Sequence, residues 1–410
     1  MRHLSAEKPT LKVLFIANGY PSPLRKWKCP FNHRLVLNLK KHCNIRVLAV
    51  RMWLPWRSSK TYTYDNVKVD QLLIPFFCPY LYKCDNSKFL NIYKKICYKF
   101  ITYQVNRKIK DVDIVHSVSC NPHSFAALYS SIKFRIPFIC QLIGSDVTRI
   151  SISDGNSSLF RKWCSQVDIF ISNSFYLQNK FKTLFTKNNI KIKSLYRGVN
   201  LESYNSTNNS YSCLNTSLKF LYLGGLINKK WKSKTNNKGA KTLLEAWRLI
   251  DEKITNDVSL TIAGPLISSS FLTDYQSSLR NPSNIKCLYD IPSDSIPDLL
   301  NSFHVLVIPS YNEGLPNVLL EAMSSGLAVI ASDAGGISEV LRDGIDGFLV
   351  PPKDEEALAS KLNFFINNRM SVKKMGSSGR SLMVNNFNSI NYTRSILKLY
   401  NELFQNKREN

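Results

Sequence analysis

Long hydrophobic runs are absent from this sequence, and no apolar stretch approaches the roughly 18 residues that a bilayer-crossing helix needs. The opening residues, MRHLSAEKPTLK, have no apolar centre of secretory-signal type. These two absences predict a cytoplasmic location. Paired cysteines are missing as well. The 10 cysteines are scattered with no Cys-x-x-Cys, which suits reduced thiols and argues against a zinc site or a disulfide framework. No tandem repeat of solenoid length is found. Acidic residues are scarce in the first half, where residues 1–205 carry 33 Lys and Arg against 10 Asp and Glu, a balance of +23. Residues 206–410 carry 22 against 19, or +3, so one half holds nearly all of the net +26. Such a field attracts polyanions or an anionic membrane face, and a basic solvated surface is the alternative reading.

What is present is globular: 44% hydrophobic and 20% charged residues over 410 positions, enough for two cores. Leu11–Ala17 (LKVLFIA) reads as a buried parallel strand, Phe31–Lys41 as a helix and Ile45–Val50 as the next strand. Short apolar runs recur at Asp113–His116, Pro137–Leu142, Asp168–Ser172 and Lys193–Arg197. Residues 203–217 (SYNSTNNSYSCLNTS) are polar and aperiodic, as a linker would be. The rhythm then restarts with Leu218–Leu223, a helix at Ala240–Ile250, strands at Ser259–Ala263, Val305–Ile308 and Leu327–Ser332, and a last helix over about 390–404. The expected domains are 1–202, a linker at 203–217, 218–385, and a C-terminal helix in 386–410 that returns toward the first domain. Two α/β units in series predict a ligand cleft at the carboxyl ends of the strands.

The chemistry concentrates in Pro309–Gly336, PSYNEGLPNVLLEAMSSGLAVIASDAGG. A strand ends at Pro309, a loop carries Glu313 and Gly314, and a helix begins near Pro316, where proline costs no hydrogen bond. The N–H groups of a helix start and its positive dipole end suit phosphate oxygens, and Gly314 allows close backbone approach. Glu321 lies within the first two turns. A diphosphate on the helix start with carboxylates for sugar hydroxyls would make a nucleotide-sugar site, and Gly335-Gly336 can add further N–H donors.

Glu313 and Glu321, separated by seven residues, with Gly314-Leu315-Pro316 after the first and Glu-Ala-Met at the second, closely resemble the signature of retaining glycosyltransferases of the GT-B fold. That group includes phosphatidylinositol mannosyltransferases and many bacterial surface-polysaccharide transferases. The resemblance extends through Gly326, Gly335, Gly336 and Ile337–Pro352. It is weaker in the first half, at Gly144-Ser145-Asp146 and Gly198-Val199-Asn200. It implies an α/β, GT-B architecture of two Rossmann-like domains facing across a cleft. By the same resemblance Glu313 would bind the transferred sugar and Glu321 the ribose hydroxyls. The backbone of Gly314, Leu315, Pro316 and Asn317 would lie along the sugar and diphosphate. Lys238 would neutralise the leaving diphosphate, with Gly224 and Gly225 beside it. No cofactor or metal is implied, only a UDP- or GDP-hexose co-substrate.

The pattern departs from the family at several positions. Gly225 stands where the family has an arginine, and Lys229, Lys230 or Arg197 is the expected substitute cation. His116-Ser117-Val118 keeps only the first histidine of a His-x-His, with His123 as a stand-in. Ile143 replaces the histidine before Gly144, and the first loop reads Tyr20–Cys29. His116, His123, Ser145 and Asp146 are the acceptor-side candidates, an ordinary loop or core-edge histidine being the other reading of the first two. Residues Lys88–Ile109 place Phe89, Tyr93, Ile96 and Phe100 on one helical face, and Leu72–Tyr82 is apolar. Either an interfacial helix on an anionic leaflet or a helix packed on the sheet fits. The expected reaction transfers a hexose, with retention, to a saccharide or lipid-linked saccharide acceptor in surface polysaccharide (O-antigen, capsule or lipopolysaccharide) biosynthesis. It would take place with peripheral attachment to the inner membrane face. The alternatives are an epimerase or soluble-acceptor enzyme of the same fold, a catalytically silent scaffold, and a basic nucleic-acid-binding protein, for which no recognition motif is found.

Overall fold

The computed structural model describes residues 10–23, 29–52, 61–75, 88–144, 146–147, 150, 157–185, 190–204, 214, 216–224, 238–264, 273, 275–289 and 291–409, with the side chains of 88–91 left out. The chain divides into two units. The first comprises residues 1–173, 177–195 and 392–410, and the second 174–176 and 196–391. The division therefore falls between Leu195 and Tyr196, upstream of the polar stretch 203–217. Most of that stretch (205–213 and 215) lies outside the described residues, while Tyr204 is buried in the second unit's core.

In the first unit, continuous apolar runs form a mainly parallel sheet. In chain order its elements are β1 (Lys12–Asn18), α1 (Pro30–Lys40), β2 (Asn44–Met52), β3 (Tyr62–Tyr64), β4 (Val67–Ile74), α2 (Lys88–Asn106) and β5 (Ile114–Val118). Then follow α3 (Pro122–Lys133), β6 (Phe138–Gln141), α4 (Ser158–Ser165), β7 (Ile169–Ser172), α5 (Phe175–Thr183) and β8 (Ile192–Ser194). The strand order is β3-β4-β2-β1-β5-β6-β7-β8. Only β3 runs antiparallel to its neighbour. It closes a hairpin at Asp65-Asn66, both with positive φ, the primed turn that matches strand twist. One face of the sheet is covered by α2, α3, α4 and α5. The other is covered by α1 and by the C-terminal helix α11, introduced below.

The second unit repeats the theme. A 3₁₀ turn at Leu201–Tyr204 leads to β9 (Leu218–Leu223), α6 (Ala240–Leu249), β10 (Val258–Ala263), β11 (Ile285–Leu288), α7 (Ile296–Asn301) and β12 (Val305–Ile308). There follow α8 (Asn317–Ser324), β13 (Ala328–Ser332), β14 (Gly347–Val350), α9 (Glu355–Asn367), α10 (Arg369–Asn386) and α11 (Ser389–Glu409), whose residues from Tyr392 onward belong to the first unit. The sheet is all parallel, in the order β11-β10-β9-β12-β13-β14. The chain leaves β9 toward β10 and β11, then returns on the other side of β9 with β12. The carboxyl ends of β9 and β12 thus flank the switch point, where open α/β sheets bind ligands. In the first unit the equivalent point lies between β1 and β5.

Candidate active site

At the switch point of the second unit, two segments far apart in sequence converge. After β9 the described chain resumes at Lys238 and enters α6 through Gly239 at φ 69°. A Cβ at Gly239 would lie 1.7 Å from the Pro309 carbonyl oxygen. Only glycine permits this backbone, which seats Lys238 against the loop after β12. Lys238 Nζ donates to Glu313 Oε1 at 2.5 Å, and Ser310 Oγ donates to the same oxygen at 3.0 Å. Tyr222 at the end of β9 is almost fully buried, its hydroxyl 3.4 Å from the Lys238 carbonyl. Burial, with the nearby Tyr311 and Glu313, pushes its phenol pKa well up, so it stays a neutral donor.

The Glu313 loop is held from its other side by the loop after β13. Gly336 N–H donates to Gly314 O at 2.7 Å. A Cβ at Gly335, at φ 70°, would meet the Glu313 carbonyl oxygen at 1.8 Å. Glycine at both positions is thus required by the close packing of two loops. Helix α8 then starts at Asn317 with Pro316 as N-cap and no side-chain cap. Its apolar side is buried through Leu319, Leu320, Ala322 and Met323, while Asn317, Val318 and Glu321 are half-exposed. Glu321 shares a face with Asn317 at i,i+4 and with Val318 at i,i+3, so it stands on the accessible side of the helix start. The helix ends in a Schellman turn: Leu327 N–H reaches Ala322 O at 3.0 Å and Gly326 N–H reaches Met323 O at 3.0 Å, with Gly326 at φ 79°.

The structure therefore gathers Lys238, Glu313 and the α8 N-terminus at one switch point, with Gly224 at the end of β9. Gly225, Lys229 and Lys230 lie outside the described residues. Arg197 is a buried side chain, 8% exposed, not a cation displayed to solvent. Three contributors carried no sequence signal: Ser310, Tyr222, and Tyr311, which pairs with Thr242 at 2.9 Å and lies under the Lys353 ammonium. Their positions relative to Glu313 depend on the strand ends, which no local pattern encodes.

Of the two readings left open for the first-unit histidines, the structure has the core one. His116 has no exposed surface. Its Nδ1 pairs with the Tyr400 hydroxyl at 2.7 Å and its Nε2 with Gln141 Oε1 at 3.1 Å. It therefore fastens α11 to the sheet and presents no surface to solvent. His123 is likewise fully buried, with Nε2 3.0 Å from Val118 O, and burial lowers its pKa to about 4. It is a neutral core histidine. Asp146 is buried too, and its carboxylate accepts backbone N–H groups from Cys120, Ile143, Gly144 and Val147. It braces the loops after β5 and β6. Ser145 lies outside the described residues. In the first loop, Tyr20 is buried and its hydroxyl pairs with His33 Nδ1 at 2.8 Å. His33 in turn contacts Asp65 at 3.1 Å, pinning the loop's start; residues 24–28 lie outside the described residues.

Residues 232–382 match the model of the family described as glycosyl transferases group 1. An uncharacterised glycosyltransferase, MJ1178, from Methanocaldococcus jannaschii is 26% identical over 78% of this chain and 84% of its own length. The putative teichuronic acid biosynthesis glycosyltransferase TuaC of Bacillus subtilis is 24% identical over 86% of this chain and 88% of its own. Among solved structures, Anabaena HepE in complex with UDP matches with a TM-score of 0.70 over 96% of this chain and 100% of that one, at 15% identity, which shows the fold. The two Rossmann-like units share the fold of these solved structures. The family model matched by residues 232–382 and these relatives support a glycosyltransferase of group 1, one relative being named for teichuronic acid biosynthesis.

Proposed function

We propose that this group 1 glycosyltransferase transfers a hexose, with retention of anomeric configuration, from a UDP- or GDP-hexose to a saccharide or lipid-linked saccharide acceptor in surface polysaccharide assembly. The observation that carries the reading is the convergence of Lys238, Glu313 and the α8 N-terminus at the switch point of the second sheet. In this reading the diphosphate lies on the first-turn N–H groups of α8. Lys238 leaves Glu313 for the phosphate oxygens and stabilises the charge that develops as the glycosidic bond breaks. Glu313, released from the lysine but still bonded to Ser310, accepts a hydroxyl of the sugar. Glu321, on the same face, accepts from the ribose. Gly314 to Asn317 line the path between them. The departing phosphate takes the acceptor's proton on the face it leaves. No metal or other cofactor enters the scheme. HepE was crystallised with UDP, in keeping with a uridine donor here.

Peripheral attachment at the inner face of the cell membrane belongs to the same proposal, because the basic first half suits an anionic surface and a lipid-linked acceptor. The test is a thermal-shift panel of UDP, GDP and ADP and their hexose derivatives, followed by NMR of the product's anomeric centre with the best donor. A shift for one sugar nucleotide and an anomer matching the donor are expected. No shift with any nucleotide, or an inverted product, would overturn the corresponding half of the proposal.

A further inference from the structure

Helix α2 has two faces of different character. Cys97, Tyr98, Ile101 and Val105 are buried, with Tyr98 set beside Phe125 of α3 at a ring separation of 6.4 Å. That face satisfies the packing of the helix on the sheet. On the outward face Ile92 is 58% exposed, Ile96 58%, Phe100 36% and Tyr103 62%. The spacings of four, four and three residues place them in one line along the helix. This is not the line the sequence suggested, since Tyr93 is half-buried and Tyr103 takes its place at the end of the row. Isolated exposed apolar residues are ordinary, whereas four in a row along three turns form a continuous surface.

The charge around that line is of one sign. Residues 86–110 contain seven Lys and Arg and no Asp or Glu. Lys95, Lys99 and Arg107 are exposed and alternate with the apolar row, and the Arg107 guanidinium lies 6.0 Å from the Tyr103 ring centre. Ammonium groups on long stems beside isoleucine and tyrosine can reach outward and sideways while the apolar groups go deeper. No helix among the described residues is long and apolar enough to cross a membrane, so this face would lie on a bilayer, not pass through it.

We infer that the Ile92–Ile96–Phe100–Tyr103 row of α2 is the membrane-docking face, and that it binds a bilayer rich in anionic headgroups. The apolar row enters the headgroup boundary, and Lys95, Lys99 and Arg107 pair with lipid phosphates. The inference specifies the surface through which the proposed reaction would reach a lipid-linked acceptor, and for that purpose it rests on the proposed function.

The experiment is co-sedimentation of the full-length chain with phosphatidylcholine vesicles and with vesicles containing about one-third phosphatidylglycerol. It compares the wild type with Ile92→Asn/Ile96→Asn and with Lys95→Gln/Lys99→Gln, each checked for an unchanged melting curve. Binding to the anionic vesicles is expected, weakened about tenfold in either double variant and by added salt in the wild type only through the cationic part. Equal binding to both vesicle types, or variants that bind as the wild type does, would overturn the inference. So would sedimentation velocity showing a dimer that dissolves in the isoleucine variant, which would assign the face to a second copy of the chain. Nucleotide-sugar thermal shifts, read from the other unit, should be unchanged in all variants. Their absence in the wild type would refute the donor reading and leave the vesicle result standing.

Discussion

Lys238 Nζ and Glu313 Oε1 lie 2.5 Å apart, although 75 residues separate them in sequence. The lysine side chain is 52% exposed and the glutamate 14%, so the acid is the enclosed member of the pair. With the lysine open to solvent, the pair contributes little to folding. In the proposed reaction its value is chemical, because the lysine leaves for a phosphate while the glutamate, still bonded to Ser310, takes a sugar hydroxyl.

Glu313→Gln keeps the shape of the side chain and removes its charge. Transfer should fall about 100-fold or more, the scale seen when one well-placed electrostatic group is lost. Nucleotide thermal shifts should remain. Lys238→Met should lower transfer similarly and weaken the shift from nucleoside diphosphate as well. A Glu313→Gln enzyme working within a factor of a few of the wild type would exclude the acid from the reaction.

Two glycines with nearly the same φ separate backbone strain from crowding. Gly335 at φ 70° has the Glu313 carbonyl oxygen 1.8 Å from a notional Cβ, while Gly344 at φ 71° has nothing within 4 Å. Gly344→Ala should cost about 1 kcal/mol from the left-handed conformation alone. Gly335→Ala should cost about 3 kcal/mol or more, because the loop carrying Glu313 must move. Urea denaturation of the two variants measures the difference, and equal losses would contradict the packing described.

His123 should make the first unit acid-sensitive. Its folded pKa is lowered to about 4 by burial, against about 6.5 in an unfolded chain. Between those values the unfolded state binds the proton and the folded state does not, so stability is lost as pH falls from about 6.5 toward 4. Relative to wild type, His123→Phe should show a flatter dependence of melting temperature on pH over that window. Parallel curves would show that the histidine titrates in the folded protein.

His116 offers a direct contrast between a structural and a substrate-binding role. Tyr400→Phe removes its Nδ1 partner without touching the sheet, and should cost about 1 kcal/mol in unfolding free energy. The transfer rate per folded molecule should be unchanged. A loss of rate at unchanged stability would return the histidine to the acceptor side.

The legible parts of this protein are those in which local chemistry dictates geometry. Buried parallel strands announce themselves as apolar runs, and the Glu313–Glu321 segment reads as a loop entering a helix because proline, glycine and carboxylates each have a positional meaning there. The β3–β4 hairpin has only Asp65-Asn66 between short alternating segments as its local sign. For His116 and His123 the sequence leaves both a core and an acceptor reading open. A histidine near a strand end serves an acceptor or a core depending on what packs over it, and the residue over His116 is Tyr400, 284 positions away. For Arg197 likewise, sequence gives its charge and not its burial.

The closing of the first sheet by Tyr392, Ile396, Leu399 and Tyr400 bears on how the protein is made. A ribosome releases residues 1–195 first, yet one side of their sheet is covered by α1 alone until residues 392–410 follow. Residues 196–391, a nearly continuous stretch, have all their own partners before that moment. The order of completion is therefore inverted, with the amino-terminal unit finished last. A chain cut short before Tyr392 would leave a wide greasy sheet face for chaperones to shield.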